Sequence, residues 1–139
     1  MTETLAVNKD AAEVIWSRAG ADLGDGDGDR HLRALLLVDG IVRNCGPAHA
    51  ATCCEPAELS AAAEACRYLG LDGLAAVIRE LPSATEGEDA ERRVDDEYYE
   101  LAPDDATLRQ AFAARFAKTP DDFAVITARR FPRYRTAEG

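Results

Sequence analysis

The residues best suited to chemistry in this sequence are thiols and imidazoles grouped within about twenty positions. They are Cys45, His49, Cys53, Cys54 and Cys66. The first three are spaced four apart, which would align them on a continuous helix, and zinc favours cysteine and histidine ligands. The intervening Gly46-Pro47 breaks such a helix, and free cysteines are among the most buried residues in proteins. We therefore expect core thiols and predict no metal site, with a Cys/His thiol or metal-binding site as the alternative.

A catalytic cysteine would need a histidine close by, and either His31 or His49 could in principle approach a thiol. A nucleophilic thiolate also requires electropositive surroundings that lower its pKa. The sequence near the cysteines offers little of this. The chain also contains no nucleophile elbow, phosphate-binding glycine loop or zinc-protease motif. We predict that the protein is not an enzyme, that it has no catalytic residues and that it needs no cofactor.

The alternating residues Asp25, Asp27 and Asp29 resemble the start of a calcium-binding loop. Such a loop requires glycine at its sixth position and glutamate at its twelfth. Counted from Asp25, those positions hold Arg30 and Leu36. The pattern therefore argues against a calcium site.

The strongest charge feature is residues 86–105, in which ten acidic and two basic residues give a net charge of −8. If apolar residues claim the inner side of a helix here, the carboxylates must lie on its outer side. We predict that this array binds a protein partner through Glu88, Asp89, Glu91, Asp95, Asp96, Glu97, Glu100, Asp104 and Asp105. The alternative is an ordinary solvated helix face.

The whole chain carries a formal charge of −10, with 26 acidic and 16 basic residues. This balance disfavours direct binding to nucleic acid or to an anionic membrane, because both attract cations. A basic protein partner, such as a transcription factor, fits it better. The sequence shows no membrane-spanning run and begins without a secretory signal pattern. We expect a soluble cytoplasmic protein, and the sequence leaves its oligomeric state open.

The elements that must position these residues are predicted to be helices. The chain has 139 residues and is 47% hydrophobic, with abundant alanine, leucine, arginine and glutamate, which favour helix. We predict an all-α fold: a compact single-domain bundle of seven to eight helices over residues 1–139. It includes an antiparallel helical hairpin at residues 56–81, a flexible acidic Gly/Asp loop at 20–29 and a basic tail at 128–139.

Two predicted helices are central to the function. Residues 30–44 are apolar nearly all round, which indicates a central helix, with Asp39-Gly40 marking a close helix crossing or a local site. Residues 86–101 form the acidic helix, whose inner side carries Val94, Tyr98 and Leu101. Residues 47–54 are a short segment without a clear pattern, and residues 83–87 are predicted to be a loop.

Several short motifs resemble a bacterial all-helical family, the DNA-mimic-protein-nineteen-like domains, over about residues 30–125. The matching segments are Val38-Asp39-Gly40 with Asn44, Tyr68-Leu69-Gly70-Leu71, Leu81-Pro82, Asp95-Asp96-Glu97-Tyr98-Tyr99 and Pro120-Asp121-Asp122-Phe123. The sequence departs from the family where Asp39-Gly40-Ile41-Val42 replaces a glycine pair and an aromatic residue. The resemblance implies an all-helical, non-enzymatic protein that presents carboxylates where DNA presents phosphates.

The leading hypothesis is therefore an acidic interaction module that engages a basic or DNA-binding protein, with a DNA mimic as its specific form. An immunity-type or scaffold protein that binds through apolar surface, with the charge serving only solubility, is the further alternative.

Overall fold

A computed structural model describes residues 2–21 and 23–124 of the chain. The elements in this part of the chain are α1 (Thr2–Gly20), α2 (Asp27–Cys45), α3 (Pro47–Cys53), α4 (Pro56–Tyr68), α5 (Asp72–Arg79), a 3₁₀ segment (Leu81–Glu86), α6 (Glu88–Leu101), α7 (Asp105–Lys118) and a second 3₁₀ segment (Pro120–Asp122). The described residues contain no strand. The predicted all-helical bundle is confirmed.

Helix α2 lies at the centre of the fold and packs against α1, α3 and α4. Its inward stripe consists of Leu32, Leu35, Val38 and Val42, all essentially inaccessible to solvent. The helix is central as predicted, but its apolar residues are not all buried, because Leu37 is 47% exposed. The helix therefore has a core side and a surface side.

The hairpin predicted at residues 56–81 is present as α4 and α5, which pack on each other. Only three residues join them, and the middle one, Gly70, has φ +81. A glycine tolerates this left-handed conformation without steric cost. Three small side chains of α4, those of Ala62, Ala63 and Cys66, are fully buried and allow close helix approach.

Two segments without a clear helical pattern are helical in the structure. Residues 47–53 form α3, which begins with Pro47 in its first turn. Residues 81–86 form a 3₁₀ segment in place of the loop predicted at 83–87. Proline at a first helical position costs no hydrogen bond, since the N–H it lacks would have no intrahelical partner. The sequence pattern missed both because each is too short to show a period.

The Gly/Asp segment predicted as a flexible acidic loop at residues 20–29 is non-helical at residues 21 and 23–26 and helical at its two ends. Helix α2 begins at Asp27, and Asp29 is fully buried. A Cβ at Gly26 would lie 2.5 Å from the Asp122 carbonyl oxygen, and one at Gly28 would lie 2.6 Å from the Phe123 ring. These glycines are needed because residues 122–124 pack directly on the start of α2.

The buried Asp29 holds this corner together. Its Oδ1 accepts a hydrogen bond from Arg18 Nε at 3.0 Å, and its Oδ2 accepts bonds from the backbone N–H groups of Gly26 and Ala124 at 3.1 and 2.6 Å. Arg18 also donates to the Ala124 carbonyl oxygen at 2.8 Å. Helix α1, the start of α2 and the segment after α7 therefore meet at one ion pair.

Among the residues that the structure describes, no helix combines the length and apolar character that crossing a bilayer requires. The basic tail predicted at residues 128–139 lies outside the described residues.

Candidate functional site

The acidic helix α6 is fixed by its apolar side. Val94 and Tyr98, one turn apart, are completely buried, as predicted. Leu101 was predicted to point inward as well, but it is 44% exposed at the end of the helix. The register of α6 is therefore set by Val94 and Tyr98, and the rest of its circumference is left to polar side chains.

A buried polar contact ties α6 to the central helix. The Tyr98 hydroxyl donates a hydrogen bond to Asp39 Oδ1 at 2.5 Å. The same carboxylate accepts from Arg43 Nε, at 2.9 Å from Oδ2 and 3.1 Å from Oδ1. Burial raises the pKa of Tyr98, and the adjacent charge of Asp39 raises it further. The tyrosine therefore stays protonated and remains a donor.

Arg43 also closes the C-terminal end of α6. Its Nη2 donates to the Ala102 carbonyl oxygen at 2.9 Å and lies 3.4 Å from that of Asp104. Its guanidinium carbon lies 5.8 Å from the centre of the Tyr98 ring and 5.5 Å from that of Tyr99. A cation at a helix C-terminus satisfies free carbonyl groups and interacts favourably with the helix dipole. Arg43 therefore contacts both tyrosines and the C-terminal end of the acidic helix.

The nine predicted interaction residues fall into two groups. Six are exposed: Glu88, Asp89, Asp96, Glu100, Asp104 and Asp105. The other three, Glu91, Asp95 and Glu97, are half-buried. The expectation that all of them lie on the outer face is therefore met by the first group only.

The half-buried carboxylates have distinct surroundings. Burial raises the pKa of Asp95, and the charges of Asp96 and Glu91 raise it further. Glu97 Oε1 is buried and has no hydrogen-bond partner among the described residues. Asp95 therefore carries a desolvation cost, and Glu97 Oε1 is buried without a compensating hydrogen bond from the described residues.

Basic residues within the described part of the chain leave most of the array unpaired. Asp89 lies 3.5 Å from Arg92, and Asp105 lies 3.8 Å from Arg109. Both pairs are exposed, and exposed pairs contribute about 0–1 kcal/mol each. Considered over the described residues, the surroundings of α6 are therefore strongly negative.

The structure places the cysteines of the predicted thiol and imidazole cluster in two different environments. Cys54 and Cys66 are buried, and burial raises the pKa of both thiols, that of Cys66 to about 12. Cys45 and Cys53 are exposed. His49 Nε2 lies 3.0 Å from Cys53 Sγ, one turn apart on α3. Within the described residues, no three candidate ligands come close enough to hold a metal ion.

The three alternating aspartates at positions 25, 27 and 29 also lie in different environments. Asp25 and Asp27 are exposed, and Asp27 pairs with Arg30. Asp29 turns inward to Arg18, as described above. The group therefore does not form a common site for a cation.

Sequence reasoning missed Arg43 and Arg18, the two arginines that bind the buried carboxylates of Asp39 and Asp29. One available signal was the four-residue spacing of Asp39 and Arg43, which places them on one side of a helix. The spacing of Arg18 and Asp29 carries no such signal, because a loop separates them.

Comparison of the chain with protein-family models, with curated proteins and with solved structures gave no match. The resemblance to DNA-mimic-like domains therefore remains a prediction from the motifs.

Proposed function

We propose that this protein is a non-enzymatic acidic interaction module whose α6 carboxylates engage a basic partner, such as a DNA-binding transcription factor. The observation that carries the proposal is the fixed orientation of α6. The hydrogen bonds from Tyr98 to Asp39 and from Arg43 to the Ala102 carbonyl oxygen tie the helix to α2, while six carboxylates of residues 88–105 remain exposed.

A rigid array suits this role for a physical reason. Charges held in place before binding lose little freedom when a partner arrives, and complementary fields accelerate and orient the encounter. Exposed carboxylates can form ion pairs with the arginines and lysines of a partner. A DNA-binding protein offers such residues on the surface that normally meets phosphates.

The test reverses charges that have no structural role in α6. The double variant Asp96→Lys with Glu100→Lys changes two exposed residues in the second half of the helix, where lysine suits the helix dipole. The matched control, Glu64→Lys with Glu80→Lys, changes two exposed glutamates elsewhere by the same net charge. Each protein is immobilised and used to capture basic proteins from native lysate at low and high salt, with duplex DNA as competitor.

We expect the α6 variant to lose at least about tenfold in captured partner, the equivalent of about 1.4 kcal/mol. The control should retain capture, while salt and DNA should both release the partner. Equal loss in both variants would show that net charge alone matters. Capture that ignores salt and the α6 reversal would instead favour the scaffold or immunity-type alternative.

A second candidate function rests on the 3.0 Å contact between His49 and Cys53. An exposed thiol beside an imidazole is a candidate for thiol chemistry or for a shared metal ligand pair. Elemental analysis of the purified protein and the rate of Cys53 alkylation in wild type and in His49→Ala test it. No bound zinc, and equal alkylation rates in the two proteins, would remove this candidate.

A further inference from the structure

Helices α1 and α7 leave an apolar groove on the surface where they meet. Its volume is about 380 Å³, and most of its lining is apolar. Three aromatic side chains and three alanines supply that lining: Trp16, Phe112, Phe116, Ala12, Ala113 and Ala117. Trp16 is half-buried and Ala113 is exposed, so the described residues leave this apolar surface open. Contiguous apolar surface of this kind is typical of a contact site.

The last described residues belong to the same aromatic cluster as the groove. The ring centre of Phe123 lies 5.5 Å from that of Phe112 and 5.4 Å from that of Phe116. The ring centre of Phe112 lies in turn 5.9 Å from that of Trp16. At Phe123 the chain has therefore reached the aromatic residues that line the groove.

The backbone next to this cluster is held at a fixed position. The N–H of Ala124 donates to the buried carboxylate of Asp29, and its carbonyl oxygen accepts from Arg18. Fifteen residues, 125–139, follow Ala124 in the sequence. The starting point of this segment is therefore fixed beside the groove.

The segment after Ala124 contains large apolar side chains within reach of the groove. They are Val125, Ile126, Phe131 and Tyr134. Since an extended chain advances at most about 3.6 Å per residue, Ile126 lies within about 7 Å and Phe131 within about 25 Å of Ala124, measured between Cα atoms. A segment joined by a short linker is present at an effective concentration on the order of mM, whereas a separate partner must be captured from solution. This favours the same chain as the source of the occupant.

We propose that residues 125–131 of this chain occupy the groove between α1 and α7, with Ile126 and Phe131 packed against its aromatic side chains. Docking covers the apolar surface of both helices and fastens them to the segment that follows the second 3₁₀ segment. The groove includes none of the nine predicted carboxylates, so this inference stands independently of the proposed function.

Fluorescence of the full chain tests the proposal, because Trp16 is its only tryptophan and lines the groove. Acrylamide quenching measures how far Trp16 is shielded. Ala113→Lys places a charge at an exposed groove position. Covering that charge with an apolar segment is unfavourable, so the docking constant should fall at least about tenfold, seen as red-shifted emission and faster quenching. Ala114→Lys is the matched control, since Ala114 is exposed on the same helix outside the groove, and it should change neither signal.

A second pair of variants changes the segment and leaves every described residue intact. Ile126→Asp with Phe131→Asp removes the two apolar side chains and should expose the tryptophan as Ala113→Lys does. Thr136→Asp with Ala137→Asp alters the net charge equally but keeps both apolar residues, so the tryptophan should stay shielded. Adding Ala113→Lys to the first of these variants should have little further effect, because both changes remove one and the same contact.

Several outcomes would overturn the proposal. One is a wild-type chain in which Trp16 is quenched as fast as in Ala113→Lys. Another is shielding that survives Ile126→Asp with Phe131→Asp, since a different molecule, such as a second copy, would then cover the groove. An effect of Ala113→Lys that is equal with and without the segment changes also counts against docking, because the lysine then acts on Trp16 directly. Circular dichroism checks the helix content of each variant, and should Ala113→Lys lose helicity, the segment variants decide the matter.

Discussion

Tyr98 and Asp39 are 59 residues apart in the chain, yet the tyrosine hydroxyl donates a buried hydrogen bond to the aspartate carboxylate. The contact joins the acidic helix α6 to the central helix α2. Because Arg43 binds the same carboxylate, the three residues form a continuous polar link between the two helices.

Removing the hydroxyl should therefore loosen the acidic helix. We expect Tyr98→Phe to lower the free energy of unfolding by about 1–3 kcal/mol, the range for a buried acceptor that loses its donor. Urea unfolding followed by circular dichroism measures the change. Tyr99→Phe is the control, since the Tyr99 hydroxyl makes no hydrogen bond within the described residues, and it should cost under about 0.5 kcal/mol. Equal effects of the two variants would contradict the structural role of Tyr98.

The ion pair of Arg18 and Asp29 gives a second prediction. Asp29→Asn preserves shape but removes the charge that balances Arg18, whose side chain is only 13% exposed. We expect a loss of about 3 kcal/mol in unfolding free energy, as for other broken buried pairs. Asp27→Asn changes an exposed residue two positions earlier and should cost under about 0.5 kcal/mol. Thermal unfolding of both variants compares them directly, and a mild effect of Asp29→Asn would argue against the buried corner.

Replacing either of two glycines of α2 by alanine should change the free energy of unfolding, and the two changes should have opposite signs. Gly28→Ala places a methyl group 2.6 Å from the Phe123 ring and should destabilise by about 1–3 kcal/mol through overpacking. Gly40→Ala meets no described atom and should stabilise the monomer by about 0.5–1 kcal/mol, because alanine favours helix. Denaturant titrations of both variants and of the wild type measure the two changes. Stabilisation by Gly28→Ala would mean that Phe123 does not pack as described.

Because the thiol of Cys66 is buried, we expect the free energy of unfolding to fall at alkaline pH. Its pKa is raised to about 12 in the folded protein, mainly by burial and further by Asp39, whereas the unfolded thiol titrates near its ordinary value of about 8.5–9. Above that value the unfolded chain releases a proton that the folded chain retains, so stability falls as pH rises. The contribution between pH 9 and 10 is about 1 kcal/mol. We expect a flatter profile for Cys66→Ala over this interval in urea titrations, and identical slopes would contradict the assignment.

The long helices were predictable from the sequence because their apolar residues repeat with a clear period. Leu32, Leu35, Val38 and Val42 place α2, and Val94 and Tyr98 place α6. The short α3 and the 3₁₀ segment at Leu81–Glu86 were not, since six or seven residues cannot display a period and their formation depends on neighbouring packing.

The candidate site was predictable in part. Charge density alone located the acidic segment, but burial separated Asp95 and Glu97 from exposed neighbours such as Asp96, and burial is a tertiary property. The composition of the Gly/Asp segment likewise does not reveal its tertiary contacts. Its composition is typical of a solvated loop, whereas Gly26 and Gly28 serve contacts with residues almost a hundred positions later.

That distance affects the order of assembly during synthesis. Asp29 is made early, but one of its hydrogen-bond donors is the backbone N–H of Ala124. Until residue 124 leaves the ribosome, the carboxylate lacks this partner and the start of α2 lacks the Phe123 ring that covers Gly28. During synthesis this corner can therefore be completed only when nearly all of the described sequence is available.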